Sequence, residues 1–167
     1  FYNLGYPGGV IVDNLAKNGD PKAASFPVPK LDGDEHRYDM SFSGLKTAVI
    51  NLAHNAEQKG ETLDSDSLAA SFQKTASEML VSRTVEAAKA FGYKTVAVAG
   101  GVSANSGVRE LMEKECGKRG IKVYLPPLDL CGDNGAMIAC QGYYDFLDGK
   151  RADESLNAIA TLSLEDI

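Results

Sequence analysis

The chain has 167 residues, 44% apolar and 24% charged. These are the proportions of an ordinary globular domain, and they exclude disorder, collagen and coiled coil. The net charge of −6 sits at one end: residues 1–128 hold 15 acids and 15 bases, residues 129–167 hold 8 acids and 2 bases. A self-sufficient nucleic-acid binder would carry a basic footprint, so most phosphate contacts to any nucleic acid must come from elsewhere. Apolar runs such as residues 95–99 are too short to span a bilayer. The opening Phe1-Tyr2-Asn3-Leu4 has no Met and no basic n-region, which reads as a fragment starting inside a larger protein. Three cysteines (Cys116, Cys131, Cys140) are odd in number and lack metal-ligand spacing; two lie at helix-core or loop positions, which fits small buried hydrophobes in a reducing cytoplasm.

After Tyr6-Pro7-Gly8-Gly9, residues 10–17 read as a short helix with Ile11, Leu15 and Ala16 near one face. Residues 20–35 form a loop punctuated by Pro21, Pro27, Pro29 and Gly33, and a short extended piece is expected over residues 38–42. Ser43 is the expected N-cap of a helix running to about Gln58, with Leu45, Val49, Leu52, Ala53 and Ala56 at helical spacing. The longest helix opens near Asp64-Ser65-Asp66, and Gly92 stops it. Its apolar stripe is Leu68, Phe72, Ala76, Met79, Leu80, Thr84, Ala87, Ala88 and Phe91. Residues 95–99 predict a buried strand and residues 100–104 a turn. Asn105 or Ser106 begins a helix with Val108, Leu111, Met112 and Cys116, ended by Gly120. Residues 122–125 predict a second strand. The loop 126–132 leads to a helix bearing Ala136, Met137, Cys140, Tyr143, Tyr144 and Leu147, and the final residues look frayed. This order gives an α/β chain with a parallel βαβ unit, right-handed by strong default, whose remaining strands are expected before Phe1.

Three segments could carry chemistry. In Ala99-Gly100-Gly101-Val102-Ser103-Ala104-Asn105, two glycines at the carboxyl end of a strand admit a ligand to the backbone, and a helix start follows. Ser103 and Asn105 are expected to face the same crevice; tight packing is the equal alternative. In Leu128-Asp129-Leu130-Cys131-Gly132-Asp133-Asn134-Gly135, one βα unit later, Asp133 reads either as a helix N-cap or as a metal- or phosphate-site carboxylate. In Tyr6-Pro7-Gly8-Gly9, the glycines precede a helix and Asp13 follows one turn on. There Asp13 could accept hydrogen bonds from a ribose diol or simply be solvated. Lys46 stands in a helix's first turn, where cations are disfavoured, and reads as a solvated side chain or a partner contact. His36 and His54 read as surface histidines. No Ser/His/Asp order, nucleophile elbow or P-loop is present.

Taken together, Tyr6-Pro7-Gly8-Gly9 with Asp13, Ser41-Phe42-Ser43-Gly44-Leu45-Lys46-Thr47, Ala69-Ala70-Ser71-Phe72-Gln73, Ala99 to Asn105, and Asp133-Asn134-Gly135-Ala136-Met137-Ile138-Ala139 resemble the TsaD family. These are tRNA N6-adenosine threonylcarbamoyltransferases, formerly catalogued as O-sialoglycoprotein endopeptidases. Five ordered motifs over about residues 1 to 147 carry the resemblance. It implies a two-lobed actin-like, sugar kinase and Hsp70 type of ATPase fold. Residues 1–150 would supply most of the C-terminal lobe and residues 151–167 a tail. It implies transfer of a threonylcarbamoyl group from threonylcarbamoyl-adenylate to N6 of the adenosine next to the anticodon. By the same resemblance Gly9, Asp13 and Asn105 contact the adenylate, with Gly100 and Gly101 as its binding turn. Asp133 is then a ligand of one divalent metal, iron or zinc, acting as Lewis acid. The family's two metal-binding histidines lie in an HxxxH motif absent from this sequence, and Gly135 stands where most relatives have Ala. The fragment alone is therefore expected to bind metal poorly and to be inactive. Implied partners are tRNA and TsaB- and TsaE-type accessory proteins, in the cytoplasm and with no membrane. The rival readings are a sugar- or acetate-kinase-like phosphotransferase, the endopeptidase of the older cataloguing, and a non-catalytic partner-binding subunit.

Overall fold

In the computed structural model, which describes residues 5, 7–28, 33–161 and 163, five α-helices and two strands follow in the predicted order. They are α1 (Gly8–Ala16), α2 (Ser43–Lys59), α3 (Ser65–Ala90), β1 (Thr95–Ala97), α4 (Ser106–Gly117), β2 (Lys122–Tyr124) and α5 (Gly135–Leu147). Short 3-10 turns occupy Asp34–His36, Gly101–Ala104 and Leu128–Leu130. β1 and β2 pair in parallel with Val96 opposite Val123, so the βαβ unit is present and the chain is α/β and helix-rich. Contacts divide the chain into two compact units at the Gly132–Asp133 junction.

The spine of the first unit is α3. Asp64 caps it by accepting the N–H groups of Asp66 and Ser67, both at 3.3 Å, which satisfies donors that a helix start leaves orphaned. Two cores lie along it. Val81, Val85 and Ala88 pack with Met112, Cys116 and Ile121, against which Val96, Val98 and Val123 rest. Nearer its start, Leu68 and Met79 pack with Leu45 and Phe26. The loop after α1 is strapped to the same helix by two serines. Ser67 Oγ accepts from Asp20 N–H at 3.0 Å, while the buried Ser71 hydroxyl accepts from Ala24 N–H at 3.1 Å and donates to the Asp20 carbonyl at 3.2 Å.

Several local expectations are corrected. The strand at residues 95–99 is shorter and not fully buried: Thr95, Ala97 and Ala99 are exposed, while Val96 and Val98 pack on the core. Helices cover one face of this two-stranded sheet, so the period of a one-sided sheet replaces continuous burial. Residues 38–42 are not extended into a strand. Tyr38 instead ends a turn, its ring tilted 56° to that of Phe91 with centroids 5.6 Å apart. Phe91 lies just past the last residue of α3 and, 65% exposed, is not part of the buried stripe. α1 starts at Gly8, so the two glycines form its first turn rather than a turn before it. Phe42, not Ser43, is the N-cap of α2, its carbonyl accepting from Lys46 N–H at 2.9 Å. The Ser43 hydroxyl pairs with that of Ser41 at 2.9 Å. α4 ends at Gly117, three residues before Gly120. Tyr6, Pro29, Leu162 and residues 164–167, the last of which belong to the end expected to be frayed, lie outside the described residues.

The second unit is built on α5. Asn134 caps it, its Oδ1 accepting from Met137 N–H at 3.0 Å. None of its residues is buried. Tyr143 and Tyr144 meet edge to face, and the Arg151 guanidinium lies 4.1 Å above the Phe146 ring.

Candidate functional site

The first unit gathers four of the six expected site residues around the start of α4. β1 delivers the chain to Gly100, whose φ of +87° is a conformation that a side chain resists. The turn Gly101–Ala104 follows, and Asn105 then caps α4 by accepting Val108 N–H at 3.0 Å. Asn105 Nδ2 donates to Gln73 Oε1 of α3 at 2.7 Å. Asp13 reaches the same place from α1: its Oδ1 accepts from the N–H of Ser106 at 3.0 Å and from the Ser106 hydroxyl at 2.7 Å. A carboxylate is favoured there, because the first N–H groups of a helix carry its positive pole. Lys17, one turn further along α1, pairs with the other carboxylate oxygen at 3.5 Å.

These positions revise two expectations. Asp13 is not solvated: its side chain is 15% exposed and tied into protein contacts. Ser103 does not face a crevice beside Asn105. It is buried at 1% exposure, and its hydroxyl has no hydrogen-bond partner among the described residues. Gly9 and Gly101 behave differently from both. A Cβ added at Gly8, Gly9 or Gly101 would meet no described atom within 4 Å, and none of the three has a left-handed backbone. Among the described residues neither packing nor a left-handed backbone requires glycine there, although glycine weakens a helix by about 1 kcal/mol against alanine. Bare backbone open to one side is what a closely approaching ligand needs.

Asp133 belongs to the second unit, and it is exposed. The N-cap of α5 is its neighbour Asn134, so the capping alternative for Asp133 is set aside. Among the described residues no cluster of three or more His, Cys, Asp or Glu side chains could hold a metal ion. The described residues therefore do not by themselves complete a metal site. His36 and His54 are exposed, as expected, with His36 Nδ1 bonded to Asp39 at 2.8 Å.

Two residues around α4 escaped the sequence reading. Gln73 lay within a matched motif without a role of its own. Arg109 ties the turn after β1 to the loop after β2: Nη1 donates to the Ser103 carbonyl at 2.8 Å and Nη2 to the Pro126 carbonyl at 2.7 Å. Arg109 and Lys46 both sit on the fourth residue of a helix, where a cation is disfavoured. The oddity was legible at both. Lys46 is exposed, whereas Arg109 is half-buried and bonded.

A family model described as TsaD: tRNA N6-adenosine threonylcarbamoyltransferase matches residues 1–140. Curated relatives carry the same enzyme name. That of Clostridioides difficile is 47% identical over 162 residues, covering 97% of this chain and 47% of the relative. That of Listeria innocua is 46% identical over 166 residues, covering 98% and 47%. That of Clostridium botulinum is 43% identical over 161 residues, covering 96% and 47%. The chain thus spans about half the length of the curated relatives it matches.

Proposed function

The chain belongs to the TsaD family, and from that premise we propose that the whole protein transfers a threonylcarbamoyl group from threonylcarbamoyl-adenylate to N6 of the adenosine next to the anticodon of tRNA. It is then an acyltransferase of t6A synthesis, working in the cytoplasm with TsaB- and TsaE-type partners. Residues 1–150 belong to the C-terminal lobe of an actin-like ATPase fold, and residues 151–167 form its tail. The match of the family model over residues 1–140, with relatives of the same enzyme name at 43–47% identity, is the observation that supports this reading most directly.

The roles follow from the local chemistry. Gly9, Gly100 and Gly101 let the adenylate approach main chain. Asn105 and Asp13 each spend part of their hydrogen-bonding capacity on α4. A carboxamide has two N–H donors and an oxygen with two lone pairs, so Asn105 keeps one donor free for the nucleotide. Asp13 accepts ribose hydroxyls with its remaining lone pairs. Holding two reactants in register supplies much of the rate of such a transfer. No side chain here is assigned as general base, and the N6 amine depends on its positioning. The near-neutral balance of residues 1–128 fits a polypeptide that leaves most tRNA phosphate contacts to other parts.

Asp133 is one ligand of a divalent metal, iron or zinc, whose remaining ligands are histidines outside this sequence. Metal content of the full-length protein tests this point: Asp133→Ala lowers occupancy while the fold persists. Unchanged occupancy removes Asp133 from the ligand set.

The nucleotide reading is tested by Gly101→Val in the full-length protein. Its side chain enters open space, so the thermal midpoint stays within a few degrees while adenosine-nucleotide binding and t6A formation in tRNA are abolished. Equal loss of stability and binding assigns the glycine to packing instead.

A further inference from the structure

The stretch Ala69-Ala70-Ser71-Phe72-Gln73 is used only in part by the function above. Ala69, Ala70 and Ser71 are buried and serve the packing of α3. Gln73 does something else. Val108 N–H must be accepted by Asn105 Oδ1, which fixes which end of the Asn105 carboxamide is nitrogen and turns Nδ2 toward α3. Gln73 Oε1 accepts there at 2.7 Å. The remaining Gln73 amide group lies against Gly107, where an added Cβ would come within 3.0 Å of Nε2 and 3.2 Å of Cγ. The glutamine is wedged between two helices with its oxygen aimed at one atom.

One hydrogen bond holds a planar amide as a hinge, free to turn about the donor–acceptor line. A second bond from the other end of the amide fixes the plane. We infer that Gln73 is a positioning residue for Asn105: it locks the carboxamide so that its one uncommitted N–H is held in a single direction for the adenosine nucleotide. The inference rests on the reading that Asn105 contacts the nucleotide.

The test measures binding of adenosine monophosphate to the full-length protein by calorimetry, with a thermal melt of every variant. Gln73→Met keeps the reach and removes the acceptor; it weakens binding about tenfold, the size of one neutral hydrogen bond. Gln73→Asn, which keeps an amide but falls short of Asn105, does the same and replaces the methionine variant if that one melts early. Gln73→Glu restores the acceptor oxygen and recovers binding to within about threefold. In an Asn105→Ala background, Gln73→Met causes no further loss, because the two act as one unit. If Asn105→Ala alone leaves affinity unchanged, the nucleotide reading of Asn105 fails and this inference falls with it. If Asn105→Ala weakens binding while Gln73→Met and Gln73→Asn do not, only the positioning role is overturned. Losses that add in the double variant overturn it as well.

Discussion

Asp13 carries a structural duty alongside its proposed one. One carboxylate oxygen receives both the N–H and the hydroxyl of Ser106, and hydrogen bonds to a charged acceptor are stronger than neutral ones. Asp13→Ala leaves both Ser106 donors without a partner in a half-buried place. It should destabilise the protein by about 2 kcal/mol, and Asp13→Asn, which keeps an oxygen, should recover roughly half of that. Urea midpoints of the full-length variants check this. A surface aspartate would change stability by less than about 0.5 kcal/mol, so a null result would return Asp13 to solvent. The adjacent glycines show why a site can be partly legible in sequence. Gly100 and Gly101 look alike as letters, yet only Gly100 has a left-handed backbone. At Gly19 a Cβ would fall within the Asp66 carbonyl, a constraint set by a residue nearly fifty positions away and invisible along the chain.

At the scale of elements, α4 is stabilised at both ends by groups of opposite sign. Its start meets Asp13. Near its finish Glu115 is paired with Lys118 at 2.6 Å and Arg119 at 2.7 Å. These two cations, with Lys118 foremost, pull the Glu115 carboxyl from its ordinary 4.5 to about 2. A lowered folded pKa means that the ionised form is the one stabilised. The contribution is full above about pH 4.5 and is lost as pH falls from there toward 2. Glu115 is half-buried, but the Lys118 and Arg119 that pair with it are solvent-exposed, so the effect is small and weakens in salt. Acid titration of the thermal midpoint should show Glu115→Gln lower than wild type at neutral pH and converging with it near pH 2. The boundaries of α3 were readable because Asp64 and Gly92 are strong local signals. The burial of β1 was not. A short apolar run reads the same whether one or both faces are covered, and only the placement of α3 and α4 decides. The supposed extended piece at residues 38–42 failed for a related reason, since Tyr38 finds its partner in Phe91. Gln73 and Arg109 gain their meaning from residues 32 and 17 positions away.

Across the whole molecule, much apolar surface is left open. On α5, Met137, Ile138, Tyr143, Tyr144 and Phe146 are each at least half exposed. In the first unit, α1, α2 and α3 line an apolar cavity of about 430 Å³ that includes Val12, Leu15, Phe42, Val49 and Phe72. Leaving even ~400 Å² of such surface wet forfeits on the order of 10 kcal/mol at about 25 cal/mol per Å², comparable to a domain's net stability. Residues 1–167 expressed alone should therefore aggregate or give a broad melt with weak near-UV circular dichroism. A sharp cooperative transition from a soluble monomer would refute this.

The bond from Asp13 to Ser106 joins residues 93 positions apart. During synthesis at ~5–20 residues per second, Asp13 leaves the ribosome on the order of 5–20 s before its partner does. Of the described groups that hold its carboxylate in the folded protein, Lys17, four residues on, is made at almost the same moment and Ser106 only after that interval. When α4 arrives, Ser106 takes Oδ1 while Lys17 pairs with Oδ2, so the early partner and the late one do not compete for the same oxygen.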